Sequence, residues 1–256
     1  MDPVIGLAQI PYPKILQSGD LLYTVRDVFE KAVAQGADII CFPETIIQVE
    51  DPRRCADYIT EHISPMCKKY GIWAVFGAVT YAEGMRNSAV ILNREGEIAD
   101  IYHKQNLLGG EKDYGMTAGT SPVILDTDFG RIGILICFDI FSARVVAQYE
   151  DQGVQIILCP SNMVVPILEM RDRQREMVIS IATAISTQLN CCFGIAMAYG
   201  KELISESKVV SPERTIAEIK DEMGLLTAKL SLDDLSILPV LKMTEREQAE
   251  WLLSKK

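Results

Sequence analysis

Glu44, Lys104 and Cys137 each stand where an apolar run of this chain ends. Glu44 follows Ile39-Ile40-Cys41-Phe42-Pro43, Lys104 follows the run 98–102 and His103, and Cys137 closes Ile132 to Ile136. Ligands of open α/β folds bind just beyond the carboxyl ends of strands, so three such exits can share one site. Their chemistry is compatible. A cysteine attacks as its thiolate, and an ordinary thiol pKa of about 8.5 leaves little thiolate at neutral pH. A glutamate within hydrogen-bond reach can take the proton. Attack on an amide carbonyl puts negative charge on oxygen, which an ammonium and a backbone N–H stabilise. A helix starting just after Cys137 would supply that N–H and a favourable dipole.

Each residue also has a plainer role. A glutamate after proline is usually a solvated turn residue, as is a lysine at a strand end. A cysteine in an apolar run is usually a small core hydrophobe. Strand-exit placement alone does not separate these roles from the chemical one.

The elements that would position these residues alternate along the chain. Apolar runs at 4–9, 38–42, 72–80, 86–93, 98–102, 123–127, 131–137, 154–159, 191–198, 207–211, 215–219 and 225–232 read as strands. Helical spacing marks 20–35, 56–70, 142–153 and 166–189, with Gly36 and Gly71 as C-cap glycines. The stretch 105–121 is a glycine-rich loop. Continuous apolar runs at 38–42, 132–137 and 154–159 suit parallel strands buried on both faces, while the hairpins make the sheets mixed. No linker interrupts the pattern. Residues 1–235 form one α/β domain of two packed sheets with helices outside. Residues 236–256 form a tail whose amphipathic helix, 244–256, suits an oligomer contact.

Composition narrows the function. A formal net charge of −10 disfavours binding to nucleic acid or to an anionic membrane. Seven cysteines, several inside apolar runs, fit reduced thiols of a cytoplasmic protein rather than a disulfide framework. Only two histidines and no ligand-like spacing argue against structural zinc. The opening, with Asp2 and no basic stretch before its apolar run, carries no secretory signal pattern. The apolar stretch 177–198 is nearly long enough to span a bilayer, but Gln188 and Asn190 make it a buried helix and strand instead.

Phe42-Pro43-Glu44, Tyr102-His103-Lys104 and Gly133-Ile134-Leu135-Ile136-Cys137-Phe138-Asp139 resemble, in order, the three signature blocks of the nitrilase (carbon–nitrogen hydrolase) superfamily. Ala8-Gln9 on the first strand, Ser211-Pro212 in a late turn, and Glu111, Tyr114 and Ala118-Gly119 after Lys104 fit the same pattern. The resemblance implies a four-layer α-β-β-α sandwich and a homodimer or larger homo-oligomer. It implies Cys137 as nucleophile, Glu44 as general base, Lys104 as stabiliser of the tetrahedral intermediate and Glu111 as its orienting partner. It implies a small-molecule amide-type substrate, a thioester intermediate and no cofactor. Phe138-Asp139 after the cysteine looks like the amidase branches rather than the nitrile hydrolysers, which usually have tryptophan and glutamate there. Tyr114, Phe138, Asn162 and Met163 are the candidate substrate-binding residues, with packing as the alternative for Phe138.

The chain departs from the family around these blocks. Asn106 stands where histidine is common, Ile140-Phe141-Ser142-Ala143-Arg144 replaces an arginine and an aromatic-Pro-Glu, and Asn162-Met163 replaces a tryptophan. Thr183 to Thr187 replaces Arg-Ala…Glu-Asn in the late helix. Three alternatives stay open on sequence: nitrile hydrolysis, a catalytically silent binding member, and a Cys-His hydrolase of another fold using His103 or His62.

Overall fold

Strand alternation sorts the apolar residues of this chain onto two cores, and four layers follow from that sorting. The computed structural model describes residues 2–12 and 19–232, together with 244, 246, 247, 250 and 253. In β1 (Val4–Gln9) and β2 (Ile39–Cys41), Ile5, Leu7, Ile39 and Cys41 face a core between two sheets. Their neighbours Ala8 and Ile40 face outward, against helix α1 (Gly19–Ala34). β3 (Trp73–Tyr81) continues the rule, with Val75 inward and Ala74 and Phe76 outward. Period-two alternation with both faces apolar is what a sheet covered by helices requires.

The first sheet has the order β12-β1-β2-β3-β4-β5, where β4 is Met85–Leu92, β5 is Ile98–His103 and β12 is Gly224–Lys229. The second has the order β11-β10-β9-β8-β7-β6, from β6 (Ile124–Thr127), β7 (Gly130–Ile134), β8 (Ile156–Ser161), β9 (Cys192–Met197), β10 (Glu206–Val210) and β11 (Thr215–Lys220). Both are mixed: β1-β2-β3 and β7-β8-β9 pair parallel, and the remaining pairs are antiparallel. Buried Gln9 fastens the sheets together. Its Oε1 accepts from the N–H and hydroxyl of Ser207, and its Nε2 donates to the carbonyls of Ser205 and Glu222.

Several elements differ from the sequence expectation for local reasons. The helix expected over 56–70 is two, α2 (Cys55–His62) and α3 (Ser64–Tyr70). Pro65 sits in the first turn of α3 and has no N–H to continue α2. Gly71 caps α3 at φ 62°, as expected. The loop 105–121 contains a short helix, α4 (Gly109–Asp113). The helix of 142–153 shortens to α5 (Ala143–Val146) and a 3-10 turn, Ala147–Tyr149. The long helix starts later, as α6 (Arg171–Leu189), behind a 3-10 turn at Leu168–Met170.

No helix among the described residues is long and apolar enough to cross a membrane. Of the helix expected over 244–256, residues 244, 246, 247, 250 and 253 are described, the last four as helical, and the rest lie outside the described residues.

Candidate active site

Glu44 lies three residues past β2, on a turn that Thr45 completes at φ 50°. The turn is pressed onto β3: Ile47 N–H donates to the Gly77 carbonyl, and Phe42 N–H to that of Val75. Gly77 permits this approach. A Cβ there would stand 2.3 Å from the Pro43 carbonyl oxygen and 2.4 Å from Glu44 Cα.

Lys104 leaves β5 with its backbone fixed on both sides, its N–H on the Asn87 carbonyl and its own carbonyl on Gly119 N–H. Its side chain is 1% exposed, and Nζ donates to Glu44 Oε1 at 2.7 Å and to Glu111 Oε1 and Oε2 at 3.1 and 2.9 Å. Glu111 comes from α4. Its Oε2 also accepts the Leu108 N–H at 2.7 Å, so the side chain that grips the ammonium caps its own helix. Asn87, on β4, closes the cluster. Its Nδ2 donates to Glu44 Oε1 at 2.8 Å and to Glu111 Oε1 at 2.5 Å.

Cys137 is 2% exposed and opens a 3-10 turn, Cys137–Phe141, past β7. Its φ is 46°, a left-handed conformation that costs a non-glycine residue about 1–3 kcal/mol and clusters at functional sites. Asp139 holds the turn. This fully buried carboxylate accepts the Ile136 N–H and Tyr102 hydroxyl on Oδ2, and the Gln105 and Asn106 N–H groups on Oδ1. One side chain thereby ties the cysteine turn to the residues directly after Lys104. Burial raises the Asp139 carboxyl above its usual range, although these donors pull the other way.

The electrostatics are asymmetric. Burial raises the Cys137 thiol well above its ordinary pKa, and the Glu44 carboxylate adds to the shift. The Lys104 ammonium and the Asn162 N–H oppose it without reversing it. Burial alone would lower Lys104, but Glu44, Cys137 and Glu111 outweigh it and the net shift is upward. At neutral pH the site therefore holds a protonated thiol beside a firmly charged ammonium. Glu44 Oε2 accepts the Asn162 N–H at 2.9 Å, while both donors on Oε1 come from Lys104 and Asn87. Breaking such a buried, hydrogen-bonded ion pair from one side costs about 3–5 kcal/mol.

A cleft of about 650 Å³ opens above the cluster, lined by Glu44, Lys104, Glu111, Asn87, Tyr114 and Asn162 among others. Tyr114 is 79% exposed at this opening. Phe138 and Met163 do not line it. The Phe138 ring is half-buried against the core and packs on Phe141 with centroids 4.9 Å apart, and Met163 is buried within the core. Both directly follow a site residue in sequence. Both histidines are engaged elsewhere. His103 Nδ1 hydrogen-bonds Ser88 Oγ at 2.8 Å and faces a separate hollow, while His62 packs on Tyr58. Among the described residues, no group of three histidine, cysteine or acidic side chains is placed to hold a metal ion.

Sequence reading passed over Asn87, Tyr102 as a partner of Asp139, and Asp139 itself as the organiser of the turn. The signal for Asp139 was its place two residues after Cys137. For Asn87 it was a polar triplet, Arg86-Asn87-Ser88, in an otherwise apolar strand.

Two six-stranded mixed sheets with helices packed on their outer faces match the nitrilase-superfamily fold. The sequence profile of the carbon–nitrogen hydrolase family matches residues 4–238, and the chain belongs to that family. A protein named nitrilase from Pyrococcus abyssi is 24% identical over 86% of this chain and 87% of its own length. The chloroplastic omega-amidase of Arabidopsis thaliana is 26% identical over 53% of this chain and 42% of its own length. The crystal structure of an amidase from Nesterenkonia sp. superposes with a TM-score of 0.78, covering 97% of this chain and 96% of that one at 20% identity. A variant of that amidase carries acrylamide joined to its active-site cysteine.

Proposed function

We propose that this protein hydrolyses the carbon–nitrogen bond of a small amide or carbamoyl compound, with Cys137 as nucleophile. The observation that carries the reading is the convergence of Glu44, Lys104 and Glu111 on one cleft, with the Cys137 thiol in the electrostatic field of Glu44 and Lys104. Amidase names among its relatives, and a cysteine adduct in one of them, point the same way.

The thiol is protonated at rest, so the thiolate forms during attack. Glu44 takes the thiol proton as sulfur bonds to the substrate carbonyl carbon. The carbonyl π pair moves onto oxygen, and the Lys104 ammonium and an N–H of the Cys137 turn stabilise that charge. The intermediate collapses with cleavage of the C–N bond. Glu44 returns the proton to the leaving nitrogen, which departs as ammonia or amine. Water then gives a proton to Glu44 and attacks the thioester, and the carboxylic acid leaves as sulfur regains a proton. Glu111 keeps Lys104 in place and charged throughout.

Three of the altered residues, Asn106, Phe141 and Thr187, have partners in the structure. Asn106 donates its N–H to Asp139 and its Nδ2 to the Phe138 carbonyl. Phe141 packs on Phe138, and Thr187 Oγ1 bonds the Thr183 carbonyl. The altered residues are accommodated, which favours a working site over a silent one. Ammonia release from a panel of amides, carbamoyl compounds and nitriles, with Cys137→Ala in parallel, tests this. Release that persists in Cys137→Ala would remove the cysteine mechanism.

A further inference from the structure

The charges lining the cleft do not balance. Glu44, Glu50 and Glu111 line it, and among the described residues Lys104 is the one cationic side chain that does. That ammonium is already committed, since Nζ donates to both glutamates that flank it. Other lining donors are committed too. Gln48 Nε2 donates to Tyr12 Oη and the Thr45 carbonyl, Thr45 Oγ1 donates to Tyr12 Oη, and Asn87 Nδ2 donates to the two carboxylates.

Two buried acceptors at the site are unpaired. Asn87 is only 2% exposed, and its buried Oδ1 has no hydrogen-bond partner; buried Oδ1 of Asn162 is in the same position. The arginines that could have offset the acidity lie elsewhere. Arg175 is buried in ion pairs with Asp172, Glu206 and Asp221, and Arg171 bonds the Lys201 carbonyl. The rest of the lining is largely apolar, including Val49, Pro52, Val79, Met85 and Met116.

We propose that this cleft takes small primary amides whose far end is neutral or cationic and rejects those that end in a carboxylate, with Glu50 setting much of the preference. The proposal rests on the amidase reading above and names its substrate class. An incoming anion meets three carboxylates against one ammonium whose protons are already shared. A cationic end finds the exposed Glu50 carboxylate.

Three matched substrates test the preference: pentanamide, its ω-amino derivative and glutaric monoamide. The kcat/KM for glutaric monoamide should be lower than for the other two by about tenfold or more. Glu50→Gln should narrow that gap, mainly through KM. A second measurement needs no turnover. Chloroacetamides with N-alkyl tails ending in methyl, ammonium or carboxylate should alkylate Cys137 with the same order of rates, each normalised to free cysteine and read by peptide mass. Turnover absent but alkylation graded by charge would remove the hydrolase reading and keep the charge rule. Equal rates for the carboxylate-ended and methyl-ended compounds would overturn the charge rule. An unchanged gap in Glu50→Gln would remove Glu50 from it.

Discussion

Asn87 commits both hydrogens of one amide nitrogen to two carboxylates that would otherwise repel each other across a single ammonium. Its neutrality matters. A second cation there would also satisfy the oxygens, but it would make Glu44 a weaker base for a thiol that burial keeps protonated. Asn87→Asp removes the donors and adds a third acid to the cluster. We expect it to lower kcat/KM by about a hundredfold, close to 2.7 kcal/mol of transition-state stabilisation. Because the extra acid must be protonated before the cluster can re-form, the residual activity should shift to lower pH, and a pH profile reads this directly. A wild-type profile in Asn87→Asp would deny Asn87 any part in setting the base. Glu44, Lys104, Glu111 and Cys137 were legible in sequence because each follows an apolar run or a signature block. Asn87 was not, because the face a strand residue presents depends on register with its neighbours, and a slip of one residue reverses it.

Among the elements, the turn after β2 shows how a residue on a neighbouring strand sets the site. Glu44 meets Lys104 only because the turn rests directly on the Gly77 backbone. Gly77→Ala places a methyl group inside the space of Pro43, Glu44 and Thr45. The turn must lift, at a cost of about 1–3 kcal/mol in stability. Urea unfolding should report that loss, and activity should fall further than stability because the base is displaced from the ammonium. Wild-type activity in a stable Gly77→Ala variant would mean that the turn is not held by this contact. The sheets themselves were readable, since the apolar runs fall within about three residues of the observed strands at either end. Helix interruptions were less so. The break at Ile63 needed Pro65 to be weighed above a continuous apolar face. The 3-10 turn after Cys137 depends on Asp139 bonding back to the Ile136 N–H while also holding Tyr102, Gln105 and Asn106, which no local pattern announces.

For the molecule as a whole, the four-layer packing buries all seven free thiols, and that burial couples stability to alkaline pH. It pushes Cys55, Cys67 and Cys159 up to about 12 and Cys192 to about 11. It carries Cys41, Cys137 and Cys191 upward as well. An unfolded thiol releases its proton near pH 8.5. Above that pH the unfolded chain holds fewer protons than the folded one, so stability falls as pH rises, until the folded values are reached. Each thiol that keeps its proton contributes a slope of about 1.4 kcal/mol per pH unit. Lys104 does not offset this. Its folded pKa is raised, so its contribution is whole below the ordinary lysine range and begins to be lost only above it. Thermal unfolding in a reducing buffer should therefore give a Tm that is level from about pH 7 to 8 and falls steadily between about pH 8.5 and 10. Cys67→Ala should make that decline shallower by about one proton per molecule, since Cys67 lies among the helix-side residues and away from the cleft. A Tm that stays level to pH 10 would show that the folded thiols ionise freely, and that burial does not hold them protonated.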